Sequence, residues 1–241
     1  MSIDLCVMTG VDEHTSLDEL SQLSEEYNKM VEWGFLYSPQ RLAFSGRYPS
    51  VEFLEHALTK LPAGTKTALH ICGAGVTNLL AGEKQERGLL DLIVSRSGRV
   101  QLNFSFRRGK VELDALVALL EAFPNTTFIT QANSANTDLW QLLAQHGVVN
   151  HAVLFDSSGG KGIMPQSWPE PLPIACGYAG GLGARNISIE YPRIASVIGT
   201  CSAWIDMESH LRKQDADGVD WIEMNECRSV LQQLRALSGQ E

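Results

Sequence analysis

Short apolar runs alternate with segments of helical periodicity along the whole chain. Each run is rich in β-branched or aromatic residues and is followed by small or polar residues, which predicts a β-strand and a turn. The eight runs cover residues 3–8, 32–37, 67–72, 100–104, 127–131, 152–156, 174–178 and 203–207. Between them, apolar residues recur three and four positions apart, as at Leu17, Leu20 and Leu23, which predicts amphipathic helices.

Alternating strands and helices imply parallel strands joined by right-handed crossovers, and eight such units close into a (β/α)8 barrel, the TIM barrel. One connection departs from this rhythm. Residues 157–173 are rich in Gly, Ser and Pro, so we expect a loop in place of the sixth helix. No linker interrupts the pattern, so residues 1–241 are expected to form a single α/β barrel domain. A doubly wound open sheet is the structural alternative, but residues 8–12 lack its Gly-x-Gly-x-x-Gly fingerprint.

Charge and composition narrow the functional class. The formal net charge is −9, and an acidic surface argues against a nucleic-acid partner. No apolar stretch reaches the roughly 18 residues of a membrane-spanning helix, and the N-terminus does not resemble a secretory signal. We therefore expect a cytoplasmic enzyme that acts on a small molecule, as a monomer or a homodimer, without a membrane partner.

The cysteines indicate reduced thiols. The chain has five cysteines, an odd number, and none forms a Cys-x-x-Cys pair. The six histidines are scattered and none forms a His-x-x-x-His pair. The sequence therefore predicts no disulfide framework and no metal site.

Glycine clusters follow the sixth and seventh predicted strands. In a (β/α)8 barrel the active site lies at the carboxyl ends of the strands, and a phosphate site often forms after strands 7 and 8. Gly180 and Gly181 stand where strand 7 turns toward its helix, and Gly160 belongs to a second cluster after strand 6. Their backbone N–H groups could bind an anion, although a tight turn without a ligand would also explain them.

Asp156 is the clearest candidate catalytic residue, because it ends an apolar strand at the expected barrel mouth. Partial desolvation there would raise the pKa of its carboxyl and suit it to general-acid catalysis. The alternative is an aspartate that caps a loop. Arg41 and Arg47, after strand 2, could each clamp a carboxylate or could be solvated loop residues.

Several motifs together resemble phosphoribosylanthranilate isomerase, a (β/α)8 enzyme of tryptophan biosynthesis. Residues 33–39 read Trp-Gly-Phe-Leu-Tyr-Ser-Pro, 47–50 read Arg-Tyr-Pro-Ser, and 100–102 read Val-Gln-Leu. The segment Leu-Phe-Asp at 154–156 precedes Gly-Gly-x-Gly at 159–162 and Trp168. Ala-Gly-Gly-Leu at 179–182 and Ile-Asp-Met-x-Ser at 205–209 complete the series. The order of these motifs along nearly the whole chain resembles that family.

The resemblance implies an Amadori rearrangement, in which an N-aryl aldosylamine phosphate becomes a 1-amino-ketose without a cofactor. Asp156 would be the general acid, and Cys6, on strand 1, the general base. Arg47 would bind the anthranilate carboxylate. The phosphate of this small substrate would lie at Gly160, Gly180, Gly181 and Ser209.

Strands 1 and 8 depart from the family pattern. The family has Lys-x-Cys-Gly in strand 1, whereas residues 4–7 read Asp-Leu-Cys-Val, and a register shifted by two would place Met8 at the base position. Glu208 and His210 interrupt the phosphate loop after strand 8. Two alternatives therefore stay open. The chain could be a diverged barrel that acts on another phosphosugar or small carboxylate, as an aldolase or epimerase, or a non-catalytic anion-binding barrel.

Overall fold

The computed structural model describes residues 2–27, 30–42 and 46–239. Eight parallel strands close into a barrel in chain order, as the sequence predicts. The barrel strands are β1 (Ser2–Thr9), β2 (Val31–Tyr37), β3 (Thr67–Cys72), β4 (Arg99–Asn103), β5 (Phe128–Ala132), β6 (His151–Phe155), β7 (Cys176–Ala179) and β8 (Ser202–Met207). Each of the eight apolar runs overlaps one of these strands, which confirms the predicted fold.

Helices cover the outside of the barrel. They are α1 (Leu17–Glu26), α2 (Val51–Lys60), α3 (Ala74–Leu80), α4 (Lys84–Ser95), α5 (Leu113–Ala122), α6 (Leu139–Gln145), α7 (Ile187–Ile198) and α8 (Met224–Ser238). Residues 156–175 contain no helix, so a loop does replace the helix between β6 and β7. The helices of the described residues include none that is long and apolar enough to cross a bilayer.

A short hairpin that the sequence did not predict follows β8. Its strands are β9 (Arg212–Gln214) and β10 (Asp220–Ile222), and they pair antiparallel. Arg212 fixes the hairpin to the loop after β1, since its guanidinium is bound to Asp12 at 2.9 Å and donates to the Gly10 carbonyl at 2.6 Å. The hairpin thus closes one side of the rim near β1 and β8.

Two sets of side chains fill the fold, because successive strand residues point to opposite faces. The larger set packs between strands and helices and includes Cys6 and Met8 of β1. The smaller set lies inside the barrel and includes Val7 and Trp204. Polar side chains occupy the rest of the interior, and this polarity determines what the barrel mouth can do.

An ion pair supports the interior below the mouth. Arg99 binds the Glu32 carboxylate with three contacts of 2.6 to 3.0 Å, and its guanidinium lies 4.6 Å from the centroid of the Trp204 ring. Gly177 stands beside Trp204 in the β7–β8 register. A Cβ atom at Gly177 would collide with the Trp204 indole, so this position requires glycine for reasons of space.

We expect Gly177→Ala to lower the free energy of unfolding by about 1–3 kcal/mol, because overpacking displaces a buried indole and the ion pair beneath it. Urea unfolding followed by circular dichroism measures this change. Gly88→Ala is the matched control, since Gly88 is exposed on α4 with nothing within 4 Å of its added Cβ. The control is expected to be neutral or stabilising by up to about 1 kcal/mol. Equal stability of the two variants would contradict the crowding argument.

Candidate active site

A pocket opens at the carboxyl ends of the barrel strands. Side chains from β1, β3, β4, β5 and β8 line its floor, and the loops after β6, β7 and β8 form its rim. Three carboxyl groups face it, those of Asp156, Asp206 and Glu208. Its described lining residues include no lysine or arginine. Carboxyl chemistry therefore dominates this site.

Asp206 is the most strongly perturbed carboxyl of the pocket. It lies at the end of β8, is 5% exposed, and accepts a hydrogen bond from the Thr9 hydroxyl at 2.8 Å. Burial raises the pKa of Asp206 to about 8, and the nearby carboxyls of Glu208 and Asp156 add to the rise. Asp206 therefore keeps its proton at neutral pH, as a general acid must.

Asp156 lies in the same pocket, and four donors hold it. Its Oδ2 accepts from the Gln131 side-chain amide at 2.9 Å and from the Gly160 N–H at 2.6 Å. Its Oδ1 accepts from the N–H and the hydroxyl of Ser158, at 3.1 and 2.8 Å. A carboxylate offers about four lone-pair sites, so these contacts occupy most of its accepting capacity. Asp156 thus organises the loop after β6, and a proton-transfer role for it stays a prediction.

The glycine loops meet at the rim, where Gly160, Gly180, Gly181 and Ser209 all line the pocket. Gly181 has a φ of +64°, and a Cβ there would lie 3.0 Å from the Gly162 carbonyl oxygen. A side chain at this position would therefore be strained and would press the two loops apart. The structure brings together the four residues that are expected at the phosphate. Three of them are glycines, so the loops offer backbone groups, and no long side chains, to the pocket here. Whether they bind an anion stays a prediction.

Cys6 is a correction to the sequence analysis. Its side chain lies on the helix side of β1, where it lines a small cavity with Met30, Tyr191 and Leu234. Burial raises the pKa of the Cys6 thiol well above its usual value. A buried, protonated thiol outside the barrel cannot take a proton from a ligand in the mouth.

Met8 does not replace Cys6 at the mouth. It packs with the helices on the same face of β1, so the expectation that either sulfur points into the mouth is wrong. The residue that β1 presents to the pocket is Thr9, and Gly10 follows it. β1 therefore presents a hydroxyl, and not a thiol, to the pocket.

Arg47 lies at the rim but does not line the pocket as the structure describes it. Its guanidinium is 2.9 Å from Oε1 of Glu208 and 3.9 Å from the Asp220 carboxylate. Burial raises the pKa of Glu208, and Arg47 opposes this rise. To bind a ligand carboxylate, Arg47 would have to exchange this ion pair.

Sequence reasoning did not select Asp206, Glu208, His70 or Gln101 as site residues, although all four line the pocket. Their signal is a polar residue at every second position near the end of an apolar strand. His70 is 2% exposed, and burial, with a contribution from Arg99, lowers the pKa of its imidazole to about 3. It is therefore neutral at physiological pH.

Within the described residues, no cluster of His, Cys, Asp or Glu is arranged to hold a metal ion.

Comparison with solved structures agrees with the barrel. TrpF from Jonesia denitrificans is 15% identical with a TM-score of 0.61, and the match covers 98% of each chain. A phosphoribosyl anthranilate isomerase in complex with reduced 1-(o-carboxyphenylamino)-1-deoxyribulose 5-phosphate is 13% identical with a TM-score of 0.55, over 98% of this chain and 100% of that one. The 3-hexulose-6-phosphate synthase from Salmonella typhimurium is 14% identical with a TM-score of 0.53, over 97% and 99%.

Sequence comparison alone gives no relative: no protein-family model matches the chain, and no curated protein matches it. TM-scores of 0.53–0.61 over 97–98% of the chain show that it shares the fold of these enzymes, while identities of 13–15% show the fold alone. Its chemistry must be argued from the pocket itself.

Proposed function

We propose that this chain is an enzyme that isomerises a phosphorylated aldosylamine to an amino-ketose by acid–base catalysis. The observation that carries the proposal is Asp206, a carboxyl group that keeps its proton at neutral pH in a pocket with two further carboxyl groups. The reaction needs a proton on the ring oxygen, passes through a cationic iminium, and then loses the C2 proton. A protonated carboxyl group can donate to the ring oxygen, and carboxylates can stabilise the iminium and accept the C2 proton.

Asp206 is the proton donor to the ring oxygen. The acid role expected of Asp156 passes to Asp206, because the oxygens of Asp156 already accept four hydrogen bonds. Glu208 is the proton acceptor at C2: its burial raises the pKa of the carboxyl, which makes it a stronger base, and Arg47 favours its ionised form. The carboxylate of Asp156 stabilises the iminium by its charge. The C2 proton leaves to Glu208, which gives an enaminol, and a proton is then added at C1 while the C2 hydroxyl loses its proton to become the ketone. Two protons are gained, on the ring oxygen and on C1, and two are lost, from C2 and from its hydroxyl, so the rearrangement is balanced without an oxidant.

Backbone groups would hold the phosphate. No lysine or arginine lines the described part of the pocket, so an anion relies on N–H groups of the loop at Gly180 and Gly181, on the Ser209 hydroxyl and on the neighbouring His210. Peptide N–H groups in such loops bind phosphate without bringing a cation next to the iminium.

The narrower candidate is phosphoribosylanthranilate isomerase activity in tryptophan biosynthesis. The order of the sequence motifs supports it, and it assigns Arg47 to the anthranilate carboxylate. The ion pair between Arg47 and Glu208 and the presence of Thr9 at the end of β1 favour the broader class of sugar amines.

The test is turnover in D₂O followed by NMR, with N-(5′-phosphoribosyl)anthranilate and with 5-phosphoribosylamines that carry other N-substituents. We expect an amino-ketose product with deuterium at C1. Rescue of a tryptophan auxotroph that lacks the isomerase would support the narrower candidate. Exchange on a ketose phosphate without turnover of any sugar amine would indicate an epimerase or aldolase and overturn the proposal. Phosphate binding without any turnover would also overturn it and would indicate a binding barrel.

A further inference from the structure

Neutral polar side chains form the wall of the pocket opposite Asp206 of β8. His70 and Gln101 are direct partners in the β3–β4 register, and both line the pocket. In a closed barrel of eight strands, β3 and β4 lie opposite β7 and β8. The proposed reaction uses neither side chain, although burying their polar groups is costly.

A chain of hydrogen bonds fixes the orientation of the Gln101 amide. The Cys72 thiol points to the His70 carbonyl oxygen at 3.6 Å, and the side-chain N–H₂ of Asn103 donates to the Cys72 sulfur at 3.4 Å. The Gln101 N–H₂ donates to the Asn103 side-chain oxygen at 3.0 Å. Burial raises the pKa of Cys72 to about 12, so its sulfur keeps the proton that it donates.

This series of hydrogen bonds ends at one acceptor that has no partner. Gln101 is 3% exposed, and its Oε1 has no hydrogen-bond partner among the described residues. Rotating the amide would bring Oε1 against the Asn103 oxygen, which repels it, unless Asn103 and Cys72 also rearranged. The network therefore leaves an acceptor, and not a donor, without a partner on a side chain that lines the pocket.

We propose that Gln101 Oε1 accepts a hydrogen bond from a hydroxyl group of the ligand, and that Asn103 and Cys72 are positioning residues for it. The ligand class is then a polyhydroxylated phosphate, a sugar phosphate, because a carboxylate or phosphate oxygen at this wall would face another acceptor. The neutral His70 imidazole beside it offers one donor and one acceptor to a neighbouring hydroxyl. The inference rests on the proposed function only in that the ligand carries a phosphate, and it requires no particular reaction.

The experiment compares two probes by calorimetry, ribose 5-phosphate and inorganic phosphate, on the full chain. The wild-type protein is expected to bind ribose 5-phosphate at least tenfold more tightly than phosphate. Gln101→Leu is expected to lose about tenfold in affinity for ribose 5-phosphate and less than twofold for phosphate, because only the sugar reaches this wall. Asn103→Ala, which frees the amide to rotate, is expected to give an intermediate loss. The ratio of the two affinities does not change if a variant merely lowers stability.

Gln145→Leu, at an exposed position of α6, is the matched control and is expected to leave both affinities unchanged. Gln101→Met, which is closer in shape to glutamine, replaces the leucine variant if the latter does not fold. An unchanged affinity ratio in the Gln101 variant, or a wild-type protein that does not distinguish the two probes, overturns the inference. If the Gln101 variant loses the preference for ribose 5-phosphate over phosphate, and the wild-type protein turns over no sugar amine, the sugar site is supported and the proposed reaction is rejected. Failure of the sugar site and failure of the proposed reaction are therefore distinguishable.

Discussion

Replacing Arg212 with leucine is expected to lower the free energy of unfolding by about 3–5 kcal/mol, the cost of leaving a buried charge without its partner. The Arg212 side chain is 3% exposed and binds the carboxylates of Asp12 and Asp220 at 2.9 and 2.7 Å. Asp12 is fully buried, and burial already raises the pKa of its carboxyl against the opposing effect of Arg212. Leucine removes that compensation together with the hydrogen bond to the Gly10 carbonyl.

Urea unfolding at pH 7, followed by circular dichroism, measures the loss. Arg228→Leu is the matched control, because the Arg228 side chain is 35% exposed and pairs with Glu19 and Glu26 at 3.7 and 3.3 Å. Exposed pairs contribute about 0–1 kcal/mol. If Arg212→Leu cost no more than the control, the network would not be what attaches the hairpin β9–β10 to the barrel.

The barrel could be predicted from the sequence because its signal is local and repeated. Each strand is one apolar run, and each helix is one periodic segment, so the alternation itself specifies parallel pairing. The loop after β6 was also predictable, since Gly, Ser and Pro in residues 157–173 exclude a helix by their own backbone preferences.

The orientation of β1 could not be predicted. Strands of a parallel barrel are buried on both faces and read as continuous apolar runs, without the alternation that marks an inner face. Residues 5–8, Leu-Cys-Val-Met, are such a run, so Cys6 was attractive for its chemistry alone. Cys6 and Met8 share a face, and the structure places that face against the helices. Thr9 then marks the inner face.

The hairpin and the charge state of Asp206 were also beyond the sequence. Strands of three residues carry too little pattern to be recognised, and the contact between Arg212 and Asp12 joins positions 200 residues apart. The pKa of Asp206 depends on its burial and on two carboxyl groups that only the closed barrel brings near. The sequence shows that strand 8 contains a polar residue, Asp206, but whether it keeps its proton depends on the folded environment.

Asp206→Asn is expected to reduce turnover by about 10²–10⁴-fold, the usual contribution of a positioned general acid. Asparagine keeps the size of the side chain but has no proton to give. In the wild-type protein, kcat/KM is expected to fall as pH rises through about 8, where Asp206 loses its proton. Asp91→Asn, at an exposed position of α4, is the matched control and should retain full turnover. Retention of more than a tenth of the wild-type rate by Asp206→Asn would reject Asp206 as the acid.

The same variant tests the buried proton without any substrate. The pKa of Asp206 is raised from 3.8 to about 8, so the folded protein holds a proton that the unfolded chain releases. Unfolding then releases a proton, and stability is lost as pH rises from about 4 to about 8, by at most about 1.4 kcal/mol per pH unit.

His70 and His151 act in the opposite sense at lower pH: their pKa values are lowered to about 3 and about 4, so they reduce stability only as pH falls below 6.5. Urea unfolding of the wild-type protein and of Asp206→Asn at pH 6.5, 7.5 and 8.5 isolates Asp206, because the contributions of the histidines and of the buried cysteines, whose pKa values are raised, are common to both proteins. Stability of the wild-type protein relative to Asp206→Asn should fall between pH 6.5 and 8 and then level off, and parallel pH profiles of the two proteins would show that Asp206 is already ionised at neutral pH.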